Sequence, residues 1–343
     1  MKSVIPALFL TLAFAVPGNS ASPSPSWPAQ RLRGANITLN LTREDVEHFA
    51  RDWKANSVRL LVNDLVPAQP PHRVDPGQLE KVYSLVDLCL EYGLYTVFSP
   101  SPVFSDNDRF FSNAEYMTAY LEFWKEFASH YAANPGPVAY DLMNEPHDKL
   151  ALTDWQPYAK KLTAAIRAVD SVHTIVVEPP EWGWPRGFKT FEPTGDPNTV
   201  YSFHFYGPMD FTHQRNRGML KATEEQWRER FYPGAIIEGE KWDRDRLRSY
   251  LQDAFDFRGR HGVTVWCGEF GCTRWAVGAL DWFRDMVEIL EGEKVGWSYY
   301  SYREWYPMDL EMDPAARLER TPRSETEIVK FFKKYFFLDA ESR

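Results

Sequence analysis

Glu145 and Glu269 each close a short apolar run, and two carboxylates so placed could cleave a glycosidic bond between them. The first run, Val138 to Met143, follows the turn cluster Asn134-Pro135-Gly136-Pro137 and reads as a strand buried on both faces. Alternation along it sets Ala139, Asp141, Met143 and Glu145 on one side, and Pro146, with no N–H to give, ends it. The second run starts after Gly262 and leads through Trp266, Cys267 and Gly268 to Glu269. The same alternation groups Val263, Val265, Cys267 and Glu269. A single strand-end glutamate is as well read as an exposed loop acid. Two, far apart in sequence, suit a reaction in which one carboxyl protonates the leaving oxygen and the other attacks or activates water.

Both glutamates need a scaffold that brings strand ends together. From Arg31 onward, strand-like and helix-like segments alternate without internal repeats, which implies a parallel sheet with helical crossovers. Strands are expected at Arg33–Thr38, Ser57–Asn63, Leu94–Pro100, Val138–Met143, Thr174–Glu178, Val200–Tyr206, Val263–Glu269 and Val295–Tyr300. Helices are expected from the Thr42-Arg43-Glu44-Asp45 cap to Ala55, and over 75–91, 113–133, 154–170, 243–260 and 279–292. A last helix follows the Ser324–Glu327 cap, with Ile328, Phe331, Phe332, Tyr335 and Phe336 inward. The count closes as a single-domain (β/α)8 TIM barrel over residues 31–343, whose reactive groups sit at the C-terminal strand ends. Tyr116, Tyr120, Phe123, Phe127 and Tyr131 recur at helical spacing and read as core, not as a sugar platform. The loop Glu181-Trp182-Gly183-Trp184-Pro185 and the long connection Pro208–Trp242 fall at the reactive end and should shape a cleft.

Several motifs now point one way. Asn144-Glu145-Pro146 resembles the acid/base motif of glycoside hydrolase family 5, the cellulase and mannanase family of retaining barrel glycosidases. Trp266–Gly271 is similar to that family's nucleophile strand, His204-Phe205-Tyr206 to its His-x-Tyr strand, Val58-Arg59-Leu60 to its arginine strand and Arg33–Asn36 to its first strand. The resemblance runs in order over residues 31–305. It implies that Glu145 is the general acid and then the base, and that Glu269 is the nucleophile forming a covalent glycosyl-enzyme. Their surroundings must then push the two pKa values apart. Arg59 and Tyr206 would hold Glu269 ionised, Asn144 would meet the sugar's 2-hydroxyl, and His204 would orient the network. Two positions depart from the family. Ser101 stands where a sugar-contacting histidine is usual, and Tyr300 where a tryptophan floors the sugar site, with Trp297 or Trp305 in its place if the register slips.

The rest of the chain bounds this reading. Lys2, the apolar run Val4–Val16 and Gly18–Ala21 form a secretory signal-peptide pattern over 1–21, so a secreted protein, extracellular or periplasmic, is expected. Residues 22–30 read as a Pro/Ser-rich lead-in. The run is too short to span a bilayer. A net charge of −9 disfavours nucleic acid, while 13 Trp, 17 Tyr and 23 Phe suit a neutral oligosaccharide or polysaccharide partner. Of three cysteines, Cys267 should point inward with Glu269; buried thiols are favoured, and a Cys267–Cys272 bridge is the alternative. Asn36-Ile37-Thr38 and Asn40-Leu41-Thr42 fit the N-glycosylation pattern. No metal or cofactor motif occurs, so none is expected. A monomeric retaining β-glycosidase acting on a glucan, mannan or related glycoside is the leading reading. The alternatives are a transglycosylase on the same scaffold and a non-catalytic carbohydrate-binding barrel, which would have no use for a buried charged pair.

Overall fold

The computed structural model describes residues 26–134, 136–214, 230–317 and 319–340; the signal-peptide pattern and part of the long connection lie outside them. Eight strands close into a barrel: β1 Arg33–Ile37, β2 Ser57–Asn63, β3 Tyr95–Ser101, β4 Val138–Asp141, β5 Thr174–Val177, β6 Thr199–Phe205, β9 Thr264–Phe270 and β10 Gly296–Tyr299. Every neighbouring pair is parallel, and β1 seals the ring by pairing Arg33 with Trp297. A two-residue antiparallel ribbon, β7 Ile236–Ile237 with β8 Glu240–Lys241, sits in the long connection after β6.

Alternation divides the core in two. Leu32, Tyr95, Val97, Ala139, Val176, Val200 and Trp266 fill the barrel's lower interior, against Trp27. The intervening strand residues face out toward the helices in the larger cluster. Above the apolar floor the inward positions turn polar: Asn36, Arg59, Ser99, Asp141 and His204. That change of chemistry along the strands locates the site.

Helix α1, Arg43–Arg51, starts on the expected Thr42/Asp45 capping box but stops four residues short of Ala55. Helix α2, Pro76–Glu91, is capped by Asp75, and Gly93 takes φ +73° just past its end. A short helix α3, Asn107–Phe111, was not foreseen; its polar Asp106 cap disguises it as loop. In α4, Ala114–Ala132, the whole aromatic stripe is buried, and Phe127 stacks on Phe98 of β3 with centroids 4.3 Å apart. Such rings each stabilise the fold by roughly 1.5–3 kcal/mol through burial. Two polar tips of this helix reach the site's supports: Tyr120 Oη and Trp124 Nε1 both donate to the carbonyl of Leu142, at 2.8 and 3.1 Å.

Helix α5, Asp148–Arg167, begins six residues before the expected start, with Pro157 inside it. The short helix α6, Met209–Thr212, lies in the long connection. Helices α7 Arg244–His261 and α8 Ala279–Gly292 match expectation within a residue, and Gly262 closes α7 in the left-handed region. In the last helix, α9 Glu327–Ala340, Ile328, Phe332 and Phe336 are buried while Phe331 and Tyr335 are half-buried.

The grouping of strand residues with Glu269 is overturned. Val265 and Cys267 face the helix layer, not the lumen. The register between β6 and β9 slips between Phe203 and His204: Cys267 pairs with Phe203, and Glu269 with His204. Gly268 is the extra residue of a β-bulge, so the alternation reverses and Glu269 still points inward. A Cβ at Gly268 would lie 2.4 Å from Ser202 Oγ, which is why glycine is needed there. Cys89, Cys267 and Cys272 are free buried thiols.

Candidate active site

Glu145 does not reach the site by strand alternation. Strand β4 ends at Asp141, Met143 packs in the outer cluster, and Glu145 adopts a left-handed backbone with φ +49°. A non-glycine residue there is strained by about 1–3 kcal/mol and must be held by its surroundings. Three groups hold it: the Leu142 carbonyl pinned by α4, the Asn144 N–H donating to Pro100 O at 3.1 Å, and the Glu145 N–H donating to Glu178 Oε2 at 2.9 Å.

Glu145 and Glu269 meet across the barrel. One acceptor atom from each, together with a ring nitrogen of His204, lies within 4.8 Å of the others. His204 Nδ1 is 2.9 Å from Glu145 Oε1 and 3.7 Å from Glu269 Oε2. Glu269 receives the Tyr206 hydroxyl on Oε2 at 2.6 Å and Arg59 Nη1 on Oε1 at 2.5 Å. Arg59 is fully buried and serves the whole layer. Its Nε donates to Asp141 Oδ2 at 2.9 Å, and Nη1 to Asn36 Oδ1 at 3.0 Å. Its Nη2 donates to Ser99 Oγ, Asn144 Oδ1 and Glu178 Oε1 at 2.7–2.8 Å. Asn36 in turn donates to the Gly268 carbonyl at 2.8 Å, tying the bulge to the same guanidinium.

The electrostatics divide the acids. Burial, offset in part by the His204 contact and reinforced by Glu269, pushes Glu145 up to about 7, so it holds a proton at mildly acidic pH. Burial also lifts Asp141 to about 7 and Glu178 to about 8, against the pull of Arg59. These two side chains are in hydrogen-bond contact. Glu178 already receives Arg59 on one oxygen and the Glu145 N–H on the other, whereas Asp141 Oδ1 has no donor. A proton shared by the pair therefore belongs on Asp141 Oδ1, where it completes the network. Burial opposes the charge of Arg59, but Asp141, Glu269 and Glu178 outweigh it and hold the guanidinium protonated.

The sequence-derived set Arg59, Asn144, Glu145, His204, Tyr206 and Glu269 is brought together. Tyr300 borders it, half-buried, edge-on to Tyr206 and to Trp305 at 6.4 Å each. Trp297 does not: it is buried in the helix layer against Phe332 and Phe336. Ser101 is fully buried, so the space beside β3 is covered rather than open. Trp182 is 40% exposed and stacks on His147 with centroids 3.5 Å apart, beside Phe104, next to Glu145; Trp184 turns away toward Phe205. From the long connection, His213 contacts Tyr206 and Trp305. Glu178 and Asp141 were missed as members of the network. Val176-Val177-Glu178-Pro179 shares with Met143-Asn144-Glu145-Pro146 a strand end closed by Glu-Pro, and was the signal available.

Comparison with known proteins bears on the family and the fold. The model of the cellulase family, glycosyl hydrolase family 5, matches residues 19–304. Endoglucanase C of Acetivibrio thermocellus is 25% identical over 259 residues, 67% of this chain and 74% of its own. Cellodextrinase A of Ruminococcus flavefaciens is 24% identical over 311 residues, 86% of this chain and 88% of its own. A mutant form of Thermotoga maritima Cel5A, solved in complex with cellobiose, shares the fold at TM-score 0.73 and 21% identity, over 88% of this chain and 96% of that one. The same protein in complex with mannotriose gives TM-score 0.70 at 20% identity, over 83% and 94%.

Proposed function

The chain belongs to glycosyl hydrolase family 5, and from that membership we propose that it hydrolyses a β-linked glucan, mannan or related glycoside by double displacement. Glu145, protonated, gives its proton to the leaving glycosidic oxygen while a carboxylate oxygen of Glu269 attacks the anomeric carbon. The aglycone departs and a glycosyl ester forms on Glu269. Glu145, now ionised, takes a proton from water, which attacks the same carbon and releases the sugar with its original configuration. The observation that carries this reading is the short separation of the two carboxylates. It lies within 4.8 Å between nearest acceptor atoms, beside the roughly 5–5.5 Å of a retaining pair and short of the roughly 6.5–9.5 Å that an inverting site leaves for water.

The neighbours suit these roles. Arg59 and the Tyr206 hydroxyl donate to the two oxygens of Glu269 and aim them. Burial keeps Glu145 protonated up to about pH 7. Asn144 accepts from Arg59 through Oδ1, so its NH2 is the end left to donate to a sugar 2-hydroxyl. Tyr300, Trp305 and Trp182 offer flat faces for neutral pyranose rings. Residues 2–21 support export, and catalysis by a monomer, without metal or cofactor, completes the proposal. Hydrolysis of defined cello- and manno-oligosaccharides tests it, with products read by chromatography. Release of shorter sugars from at least one β-1,4 series is expected; inertness toward all of them overturns the reading.

A further inference from the structure

Glu178 stands at the end of β5, fully buried, and takes no part in the two-carboxylate chemistry above. Its two oxygens nevertheless reach every part of the acid's surroundings. Oε2 accepts the backbone N–H of Glu145 at 2.9 Å, the bond that restrains the left-handed φ of +49°. Oε1 receives Arg59 at 2.7 Å and lies 3.2 Å from His204 Nε2. That last contact is not aligned as a hydrogen bond and acts through charge. The other ring nitrogen, Nδ1, is the atom 2.9 Å from Glu145 Oε1. Gly183 makes the approach possible: at φ +66°, a Cβ there would lie 2.7 Å from Glu178 Oε2 and 3.3 Å from His204 Cγ. Trp155 Nε1 anchors the backbone carbonyl of Glu178 at 2.8 Å. This much fixing of one carboxylate is not needed to fill the barrel.

We propose that Glu178 is a positioning residue for the acid/base Glu145: it clamps the strained backbone of Glu145 and, through the tautomer of His204, sets how firmly Glu145 holds its proton. The proposal rests on the reading of Glu145 as the acid. A carboxylate 3.2 Å from Nε2 favours the imidazole proton on that nitrogen. Nδ1 then presents a lone pair to Glu145, which suits the protonated carboxyl and not the carboxylate. Without the Glu178 charge, the imidazole proton moves to Nδ1 and donates to the Glu145 carboxylate. The nearby negative charge is lost as well. Both changes make Glu145 a stronger acid. The other groups facing this pair stay in place: Arg59 from β2, Asp141 from β4, Glu269 from β9, and Tyr206 and Tyr300 from the strand ends. His147 Nδ1, 2.6 Å from the Glu145 carbonyl, also stays.

The test is Glu178→Gln, which keeps the shape and an acceptor for the Glu145 N–H. Carbon-13 NMR of protein labelled at the glutamate carboxyls, with Glu145→Gln identifying the signal, follows the titration of Glu145 without substrate. Its midpoint is expected to fall by about one pH unit. The alkaline limb of kcat/KM on unactivated glycosides should move with it, costing about tenfold at pH 8 with KM within twofold. A folded Glu178→Gln protein in which the Glu145 midpoint stays put overturns the proposal, because a merely structural Glu178 would lower the melting temperature and leave that titration alone. Should the variant not fold, nitrogen-15 NMR of the His204 ring in the wild-type protein decides: a neutral ring with its proton on Nε2 is expected, and a proton on Nδ1 overturns the proposal. A wild-type protein that hydrolyses no glycoside defeats the catalytic reading alone, since the NMR titration still decides what Glu178 does.

Discussion

Replacing Arg59 by lysine keeps the charge at the centre of the site and removes its shape. The guanidinium presents five N–H groups to six buried acceptors, on Asn36, Ser99, Asp141, Asn144, Glu178 and Glu269. A lysine ammonium offers three, so at least two acceptors lose their donor. A buried acceptor left without a donor costs about 1–3 kcal/mol, giving a loss of roughly 2–6 kcal/mol. At an unfolding entropy near 2.1 cal/mol/K per residue, a chain of this size loses about 1.5 °C for each kcal/mol, so Arg59→Lys should melt roughly 3–9 °C below wild type. The functional loss should be larger in proportion. Glu269 and Asn144 share this one donor, and misplacing a reacting group by an ångström can cost about 100-fold in rate. Differential scanning calorimetry and steady-state kinetics on the same preparation supply both readings. A variant that melts within about 1 °C of wild type and keeps more than half its kcat/KM would refute the central role given to the guanidinium.

Other expectations follow from the same geometry. Activity on unactivated glycosides should fall as pH rises through about 7, where Glu145 loses the proton it must donate; a plateau extending to pH 9 would contradict this. Stability should move in the same direction. Glu145, and the Asp141–Glu178 pair with its one shared proton, bind protons more tightly folded than unfolded, so this contribution is complete below the unfolded carboxyl range and is lost as pH rises through about 7 to 8. The melting temperature at pH 5.5 should therefore exceed that at pH 8.5, and a flat or rising profile would count against the buried acids. Gly268→Ala puts a Cβ 2.4 Å from Ser202 Oγ and 3.1 Å from His204 Nε2; a loss of about 1–3 kcal/mol and at least tenfold in kcat is expected, whereas wild-type kinetics would show the bulge to be dispensable. Glu145→Ala should retain most activity on dinitrophenyl glycosides, whose leaving group needs no proton, and lose it on oligosaccharides; equal losses on both would remove Glu145 from the acid role.

The barrel was legible because hydrophobic periodicity and turn residues act locally. The strand Ser57–Asn63 and helix Ala279–Gly292 fall on their expected bounds. The misreadings arise where backbone geometry departs from simple alternation. Strict alternation placed Cys267 beside Glu269 in the lumen, but a bulge at Gly268 separates their faces; the slip depends on pairing with β6, and the isolated glycine was its one signal within the strand. Glu145 was put on the right face for the wrong reason, since a left-handed φ and not the strand's period aims it. Glu178 and Asp141 escaped notice because their part is defined by Arg59, whose six contacts come from residues spread over 233 positions of the chain, from Asn36 to Glu269. Tyr300 marks the opposite case. Its position in the order of motifs put it where a tryptophan floors the sugar site in the family, and it does lie beside Tyr206, while Trp297, three residues earlier, packs against α9.

The covalent intermediate on Glu269 is the step on which the account depends most. Incubation with an activated 2-deoxy-2-fluoro-β-glycoside of the preferred sugar slows the second displacement more than the first and should allow the glycosyl-enzyme to accumulate. Intact-mass measurement followed by peptide mapping is expected to show one sugar per chain, ester-linked to Glu269 in the peptide containing Trp266–Gly271, and no adduct in Glu269→Gln. Time-dependent inactivation with the sugar attached to Glu145, or turnover of the natural substrate with no adduct at any residue, would contradict it.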